Sequence, residues 1–330
     1  MTVVAKQAGG GAVFLPVPLA TLTVCSSLPV DMYLRPSEEA PPILYRERKL
    51  EFPAEEMARL IQRGVETIYV PSGQVDDYQD YLQEKLPDIV LDQNLPMQQR
   101  LQFLGEAGRS MLGVVFKSGS IERMVGTVGD ISGHMVQLMS HNHLIAGDLL
   151  DVLRHDYHTF THSYNVASYV MLLAKGLGIS DADELQAISM AGLLHDLGKL
   201  RIPLAILNKK SRLTDAEWDV IKQHPHDGFV ELSPRKDLSR AQLMMIYQHH
   251  EKLDGSGYPT GVGGDEIHPY ARACAVVDIF EALTSYRPYR SKLPAAKALS
   301  ILDAEFGDKL DGEMVRCWKS MVSRVRARSR

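Results

Sequence analysis

The sequence predicts a multidomain protein: a small α+β unit at the N-terminus, then a longer helical part that carries the chemistry. Three observations lead there. Strand-like alternation is confined to the first part of the chain, and apolar residues at helical spacing take over from Leu95. Histidine occurs twelve times, but never before His134.

In the first part, Val30, Met32 and Leu34 alternate with Asp31, Tyr33 and Arg35, the period-2 pattern of a half-buried strand. Residues 43–52 offer further strand, with Arg46, Glu47, Arg48 and Lys49 marking a central turn or exposed edge. Pro53 opens a helix whose first turn holds Glu55 and Glu56, where the helix dipole favours acids. Gly64 ends it, Thr67-Ile68-Tyr69-Val70 reads as a strand, and 76–86 as another helix. With no histidine, phosphate-cradling glycine loop or cysteine cluster, residues 1–93 read as a regulatory or docking module.

Met97, Leu101, Leu104, Met111 and Val115 then recur at helical spacing over 95–115. A second helical run, 121–138, is interrupted by Gly126 and Gly129. These make 94–140 a helical connector, packed either against a partner subunit in a homodimer or over the protein's own core. The remainder, 141–330, is the chemical part. Its basic end, with Lys319, Arg324, Arg326, Arg328 and Arg330, reads as a solvated terminus.

The 330 residues are 45% apolar and 23% charged, ordinary for a globular protein, and the net charge of −5 argues against non-specific nucleic-acid binding. It also means that an anionic substrate must be drawn in by local cations. Cys25, Cys274 and Cys317 are widely spaced and form no C-x-x-C, which suits a reducing cytoplasm. The apolar stretch 13–25 has some character of a leader, but Pro16 and Pro18 break it and only Lys6 precedes it with charge. A cytoplasmic location with no membrane span is the expectation.

The chemistry lies in an ordered set: His195-Asp196, His224, His249-His250 and Asp278. Neutral imidazole and carboxylate are the usual ligands of divalent first-row metals. Residues 190–199 read as an apolar helix turning polar at its end. A carboxylate has two oxygens and can bridge two ions, which makes Asp196 the natural bridge. Asp278 stands in an apolar run, where a carboxylate is costly unless paired or metal-bound. A hydroxide between two cations is a nucleophile at neutral pH, because binding lowers the pKa of water to about 7. Lys199, one helical turn after His195, is placed to meet a phosphate oxygen or that hydroxide. The residue types point to hydrolysis of a phosphate ester.

The run His249-His250-Glu251-Lys252-Leu253-Asp254-Gly255-Ser256-Gly257-Tyr258-Pro259 closely resembles the signature of the HD-GYP proteins, bacterial signalling hydrolases of the HD phosphohydrolase superfamily that degrade cyclic di-GMP. The resemblance extends over roughly half the chain, through His195-Asp196-Leu197-Gly198-Lys199, Ile202-Pro203, Leu213-Thr214, Ala282-Leu283-Thr284-Ser285 and Arg287-Pro288-Tyr289-Arg290. It implies an all-α HD-type catalytic domain with two or three metal ions, iron or manganese first, nickel or zinc as alternatives. The implied ligands are His162, His195, Asp196, His224, His249, His250 and Asp278. The implied catalytic residues are Asp196 and Lys199. Arg287 and Arg290 match substrate-phosphate positions, for which a planar guanidinium is suited. Gly257, Tyr258 and Pro259 form the naming loop, with Tyr258 either near the substrate or purely structural.

Two positions depart from the family pattern. His158 stands where members with a third metal carry glutamate, so it is a candidate third-metal ligand and two metals are the working expectation. Tyr286 stands where aspartate is common. His155, His226 and His268 read as supporting or surface residues, and His134, His141 and His143 belong to the connector. The implied activity is hydrolysis of cyclic di-GMP to pGpG, and onward to GMP. The alternatives are an HD phosphohydrolase for another nucleotide, and a non-catalytic cyclic di-GMP sensor acting through a signalling partner.

Overall fold

The computed structural model describes residues 13–22, 27–37, 39–140, 159–209, 211–286 and 291–328. His158, Arg287 and Arg290 fall outside these residues, as do Cys25, His141, His143 and His155. Two compact units divide the chain, Met1–Ser118 and Gly119–Arg330. The stretch 94–140 is therefore shared between them.

The first unit contains β1 (Phe14–Pro18), β2 (Met32–Leu34), β3 (Ile43–Arg46) and β4 (Thr67–Pro71). They form one antiparallel sheet in the order β1-β4-β2-β3. β1 was not expected from the sequence, where Pro16 and Pro18 only break the apolar stretch 13–25, and its register explains how a strand accommodates them. Ser72 N–H donates to the Val13 carbonyl at 2.9 Å and Leu19 N–H to the Glu66 carbonyl at 2.8 Å, so the odd-numbered residues face β4. Pro16 and Pro18 fall on the outward register of an edge strand, where no N–H is needed.

In β4, Ile68 and Val70 are fully buried while Thr67 is exposed, the alternation that the sequence carries. α1 (Ala54–Gln62) begins after Pro53 with Glu55 and Glu56 in its first turn, and Gly64 ends it at φ +75°. α2 (Val75–Leu91) continues through Pro87, beyond the expected end at 86. A proline inside a helix costs about 3 kcal/mol. Leu86, Ile89 and Val90, all buried, outweigh that at about 1.5–3 kcal/mol each. α3 (Met97–Ser118) completes the unit.

Among the described residues, the regular elements of the second unit are all helical: α4 (Ile121–Ser140), α5 (Thr159–Gly176), α6 (Ala182–Leu194), α7 (Leu204–Leu207), α8 (Asp215–Lys222), α9 (His224–Leu232), α10 (Arg240–Gln248), α11 (Pro269–Thr284), α12 (Ala295–Phe306) and α13 (Gly312–Arg328), with short 3₁₀ turns. α4 is continuous across Gly126 and Gly129, against the expected interruption. Each glycine costs about 1 kcal/mol in a helix. Val125, Val128, Ile131 and Met135 are buried and offset it. Gln186 of α6 donates its side-chain amide to the Gly129 carbonyl at 3.2 Å, so α4 covers the core of its own unit.

α5 and α6 cross so closely that a Cβ on Gly192 would lie 2.8 Å from Ala167 Cα. That approach brings the start of α5 beside the end of α6. α8 and α10 open with reciprocal capping boxes, Thr214 with Glu217 and Ser239 with Gln242. Tyr169, Phe280 and Trp318 pack ring on ring at 5.2–5.9 Å, tying α5, α11 and α13 together. Among the described residues, no helix is long and apolar enough to cross a membrane.

Candidate metal centre

Three histidines point inward for one local reason. His195 follows the last residue of α6, His224 is the first of α9, and His249 follows α10. Each ring Nδ1 meets the backbone carbonyl three residues upstream: Gly192 at 2.8 Å, Ile221 at 2.7 Å and Ile246 at 2.8 Å. A carbonyl only accepts, so Nδ1 carries the hydrogen and Nε2 is left with its lone pair turned to the interior.

His162, on α5, is held differently. Its Nδ1 donates to Glu281 Oε2 on α11 at 2.5 Å, and its Nε2 stands 3.1 Å from Asp278 Oδ1 and 3.3 Å from Asp196 Oδ2. Asp196 lies at the middle. Its Oδ1 is 3.2 Å from His224 Nε2 and 3.9 Å from His249 Nε2; its Oδ2 is 3.4 Å from His195 Nε2. His250 Nδ1 is 3.8 Å from Asp278 Oδ2.

The seven residues expected as ligands thus converge, in two groups: Asp196, His224, His249 and His250, then His162, His195 and Asp278, with the donor atoms of each group within 4.8 Å of one another. Lys199 Nζ is 2.6 Å from Asp196 Oδ2, an ion pair with the central carboxylate. His226 is half-exposed beside Asp227, and His268 caps α11 by accepting from Tyr270 N–H, so both stand apart from the cluster. His134 bonds its own helix through the Asp130 carbonyl.

The donor set fits divalent cations. His195 Nε2 and Asp196 Oδ1 are buried with no hydrogen-bond partner, and such atoms cost about 1–3 kcal/mol each. His224 Nε2 and His249 Nε2 face each other at 3.3 Å, and their Nδ1 hydrogens are already committed to carbonyls. Two lone pairs so placed repel unless a cation takes them.

The electrostatics agree for His249, His250 and the two carboxylates, while without an ion they favour a proton on His162. Burial, reinforced by the neighbouring imidazoles, pushes His249 and His250 well below the usual histidine range, which keeps them neutral as ligands must be. Asp196 and Asp278 are held well below the usual carboxylate range: burial opposes this, but Lys199 and His195 outweigh it for Asp196, and His162 for Asp278. Burial also opposes charge on His162, yet Glu281, Asp196 and Asp278 raise it well above the usual range.

The loop after α10 closes over this cluster. Buried Glu251 accepts from Thr260 N–H and Oγ1, both at 2.7 Å, and from Gly261 N–H at 3.1 Å. A Cβ on Gly257 would stand 2.5 Å from Lys252 N, so only glycine lets the loop double back. The Tyr258 ring then lies 4.8 Å from that of His250, inclined by 34°.

Sequence reasoning missed Glu281 and gave Glu251 no role. A signal for Glu281 existed: it is a second acid one helical turn after Asp278 in an apolar run, and so on the same face.

A helical unit with five imidazoles and two carboxylates turned on one point defines a class, that of helical metal-site proteins. The chain belongs to the HD-domain family, whose profile matches residues 149–314, half of its length, and the expected HD-GYP kinship stands. A 3′3′-cGAMP-specific phosphodiesterase of Vibrio cholerae is 43% identical over 169 residues, 50% of this chain and 36% of that protein. A cyclic di-GMP phosphodiesterase of Pseudomonas aeruginosa is 35% identical over 195 residues, 54% of this chain and 47% of that protein. The chain therefore spans less than half the length of these curated relatives. Among solved structures, Bd1817, an HDG"Y"P protein from Bdellovibrio bacteriovorus, aligns with a TM-score of 0.71 at 20% identity, covering 94% of this chain and 100% of that one, a likeness of fold.

Proposed function

We propose that this chain is a metal-dependent phosphodiesterase that opens cyclic di-GMP to linear pGpG, and carries it onward to GMP. The observation that carries the reading is the place of Asp196, with one oxygen toward each donor group. His162, His195 and Asp278 on one side and His224, His249 and His250 on the other, with Asp196 between them, would hold two divalent ions, iron or manganese first. Ions bound there neutralise charge on the phosphoryl oxygens and acidify water into a nucleophile. Lys199 holds the Asp196 carboxylate and offers its ammonium to a phosphate oxygen. Tyr258 bounds the site over His250, and Arg287 and Arg290 hold the substrate phosphates. Residues 1–93 act as a regulatory or docking module, 94–140 as connector, and 141–330 as the hydrolase.

A second reading concerns the base. The 43% identity to a 3′3′-cGAMP-specific enzyme supports a mixed guanine–adenine ring as the second candidate substrate. The test is anaerobic purification, metal analysis, and chromatography of products from each dinucleotide with iron(II) or manganese(II) supplied. Product from cyclic di-GMP, lost in a H195A/D196A variant, is the expected result. Faster cleavage of 3′3′-cGAMP would select the second reading. Tight nucleotide binding with no product from either would make the chain a sensor.

A further inference from the structure

The two donor groups are not oriented alike. His195, His224 and His249 each lean on a neutral backbone carbonyl. His162 leans on a buried carboxylate, and that carboxylate is itself fixed: Glu281 Oε1 accepts from Asn165 Nδ2 at 3.1 Å and from Ser285 Oγ at 2.5 Å, while Oε2 takes the His162 Nδ1 hydrogen. Glu281 is fully buried. From this asymmetry we infer that Glu281 is a positioning residue that tightens one metal position only, the one built on His162, His195 and Asp278, making the two positions unequal in affinity. The inference rests on the metal-centre reading above.

Two physical effects act together. A carboxylate behind an imidazole enriches Nε2 with electron density, which a carbonyl does less, and losing such a partner typically weakens metal binding by about 10–100-fold. The second effect is the tautomer. At least three donors among the described residues, His162, Asn165 and Ser285, converge on Glu281, and its two oxygens serve these three. Glutamine has one oxygen. If that oxygen keeps Asn165 and Ser285, its amide N–H₂ faces His162 Nδ1, which must then accept. The ring hydrogen moves to Nε2, and the atom aimed at the metal has no lone pair to give. Asp278 and His195 would remain, one ligand short.

The experiment uses the full chain, stripped of metal and titrated with manganese(II), the free ion being followed by its electron paramagnetic resonance. Wild type is expected to take two equivalents. Glu281→Gln should keep one at its wild-type dissociation constant and weaken the other by about 10–100-fold. Glu281→Asp, which keeps the charge on a shorter arm, should weaken the same single equivalent by less. If the glutamine variant does not fold, by circular dichroism of the metal-free protein, the aspartate variant decides in its place. A purely structural role is excluded by a double variant: H162Q/E281Q should bind no more weakly than H162Q alone, because Glu281 acts through His162.

Equal weakening of both equivalents, no change in either, or an additive double variant would overturn the inference and leave the metal centre standing. A wild-type protein that takes up no manganese(II) would overturn the metal-centre reading and this inference with it.

Discussion

Gly198 offers the sharpest test of how the centre is held. It follows Asp196 by two residues, in the turn Leu197–Arg201, and lies against the start of α9. A Cβ built on Gly198 would overlap the His224 carbonyl oxygen outright, and would stand 2.7 Å from Gly228 N and 2.8 Å from His224 C. Ordinary Cβ contacts begin at 3.4 Å, so in Gly198→Ala the two backbone segments must part by well over half an ångström. Backbone does not yield as a side-chain tip does. His224 and Asp196, now 3.2 Å apart, sit on the two segments that separate. Overpacking of this kind costs about 1–3 kcal/mol. For a unit of this size that lowers the melting temperature by about 2–4 °C per kcal/mol. A misplacement of about 1 Å costs about 100-fold in turnover. Calorimetry of the metal-free variant and turnover of the loaded one measure the two effects. A G198A protein that melts within one degree of wild type and turns over at the wild-type rate would refute the close approach.

Removing metal with a chelator should lower the melting temperature, because binding at 100 times the dissociation constant stabilises by about 2.7 kcal/mol; an unchanged melt would mean that the buried lone pairs of His195 and Asp196 are met some other way. Lys199→Met should leave metal content near wild type and cut kcat by about 100-fold or more, as loss of a transition-state charge partner does. A raised KM with unchanged kcat would instead confine Lys199 to binding. Glu251→Ala strips the acceptor from Thr260 and Gly261, and should cost about 2–4 kcal/mol in stability. Hydrogen exchange of the Thr260 and Gly261 amides should rise in step, and unchanged protection there would show that the loop is held elsewhere.

Much of this architecture was legible in the residues. The helical unit announced itself through apolar spacing, and six of the seven converging donors through residue type and order, since few other arrangements place Asp278 in an apolar helix; His162 was legible only through the family resemblance. What escaped shows where local pattern ends. β1 was hidden because prolines argue against strands in general, and only the sheet order makes it an edge whose outward register tolerates them. α2 outran its expected end because buried Ile89 and Val90 act after Pro87, a tertiary gain that local propensity does not see. Glu281 was visible as a buried acid, but its partner lies 119 residues away, and which imidazole it would serve is a property of the α5–α11 packing.

The recurrent stitch from ring Nδ1 to the carbonyl three residues upstream has a consequence for how the centre is loaded. His195 and His249 are each aimed by the end of the helix they follow, and His224 by the carbonyl of Ile221 at the junction of α8 and α9, so all three use atoms close by in sequence. At these three rings an ion would meet donors already aimed by local hydrogen bonds, so that part of its uptake would ask for little rearrangement. Such an arrangement fixes geometry more firmly than it fixes the identity of the element inside. Which ion such a site would hold then depends on supply as well as on ligand type and geometry.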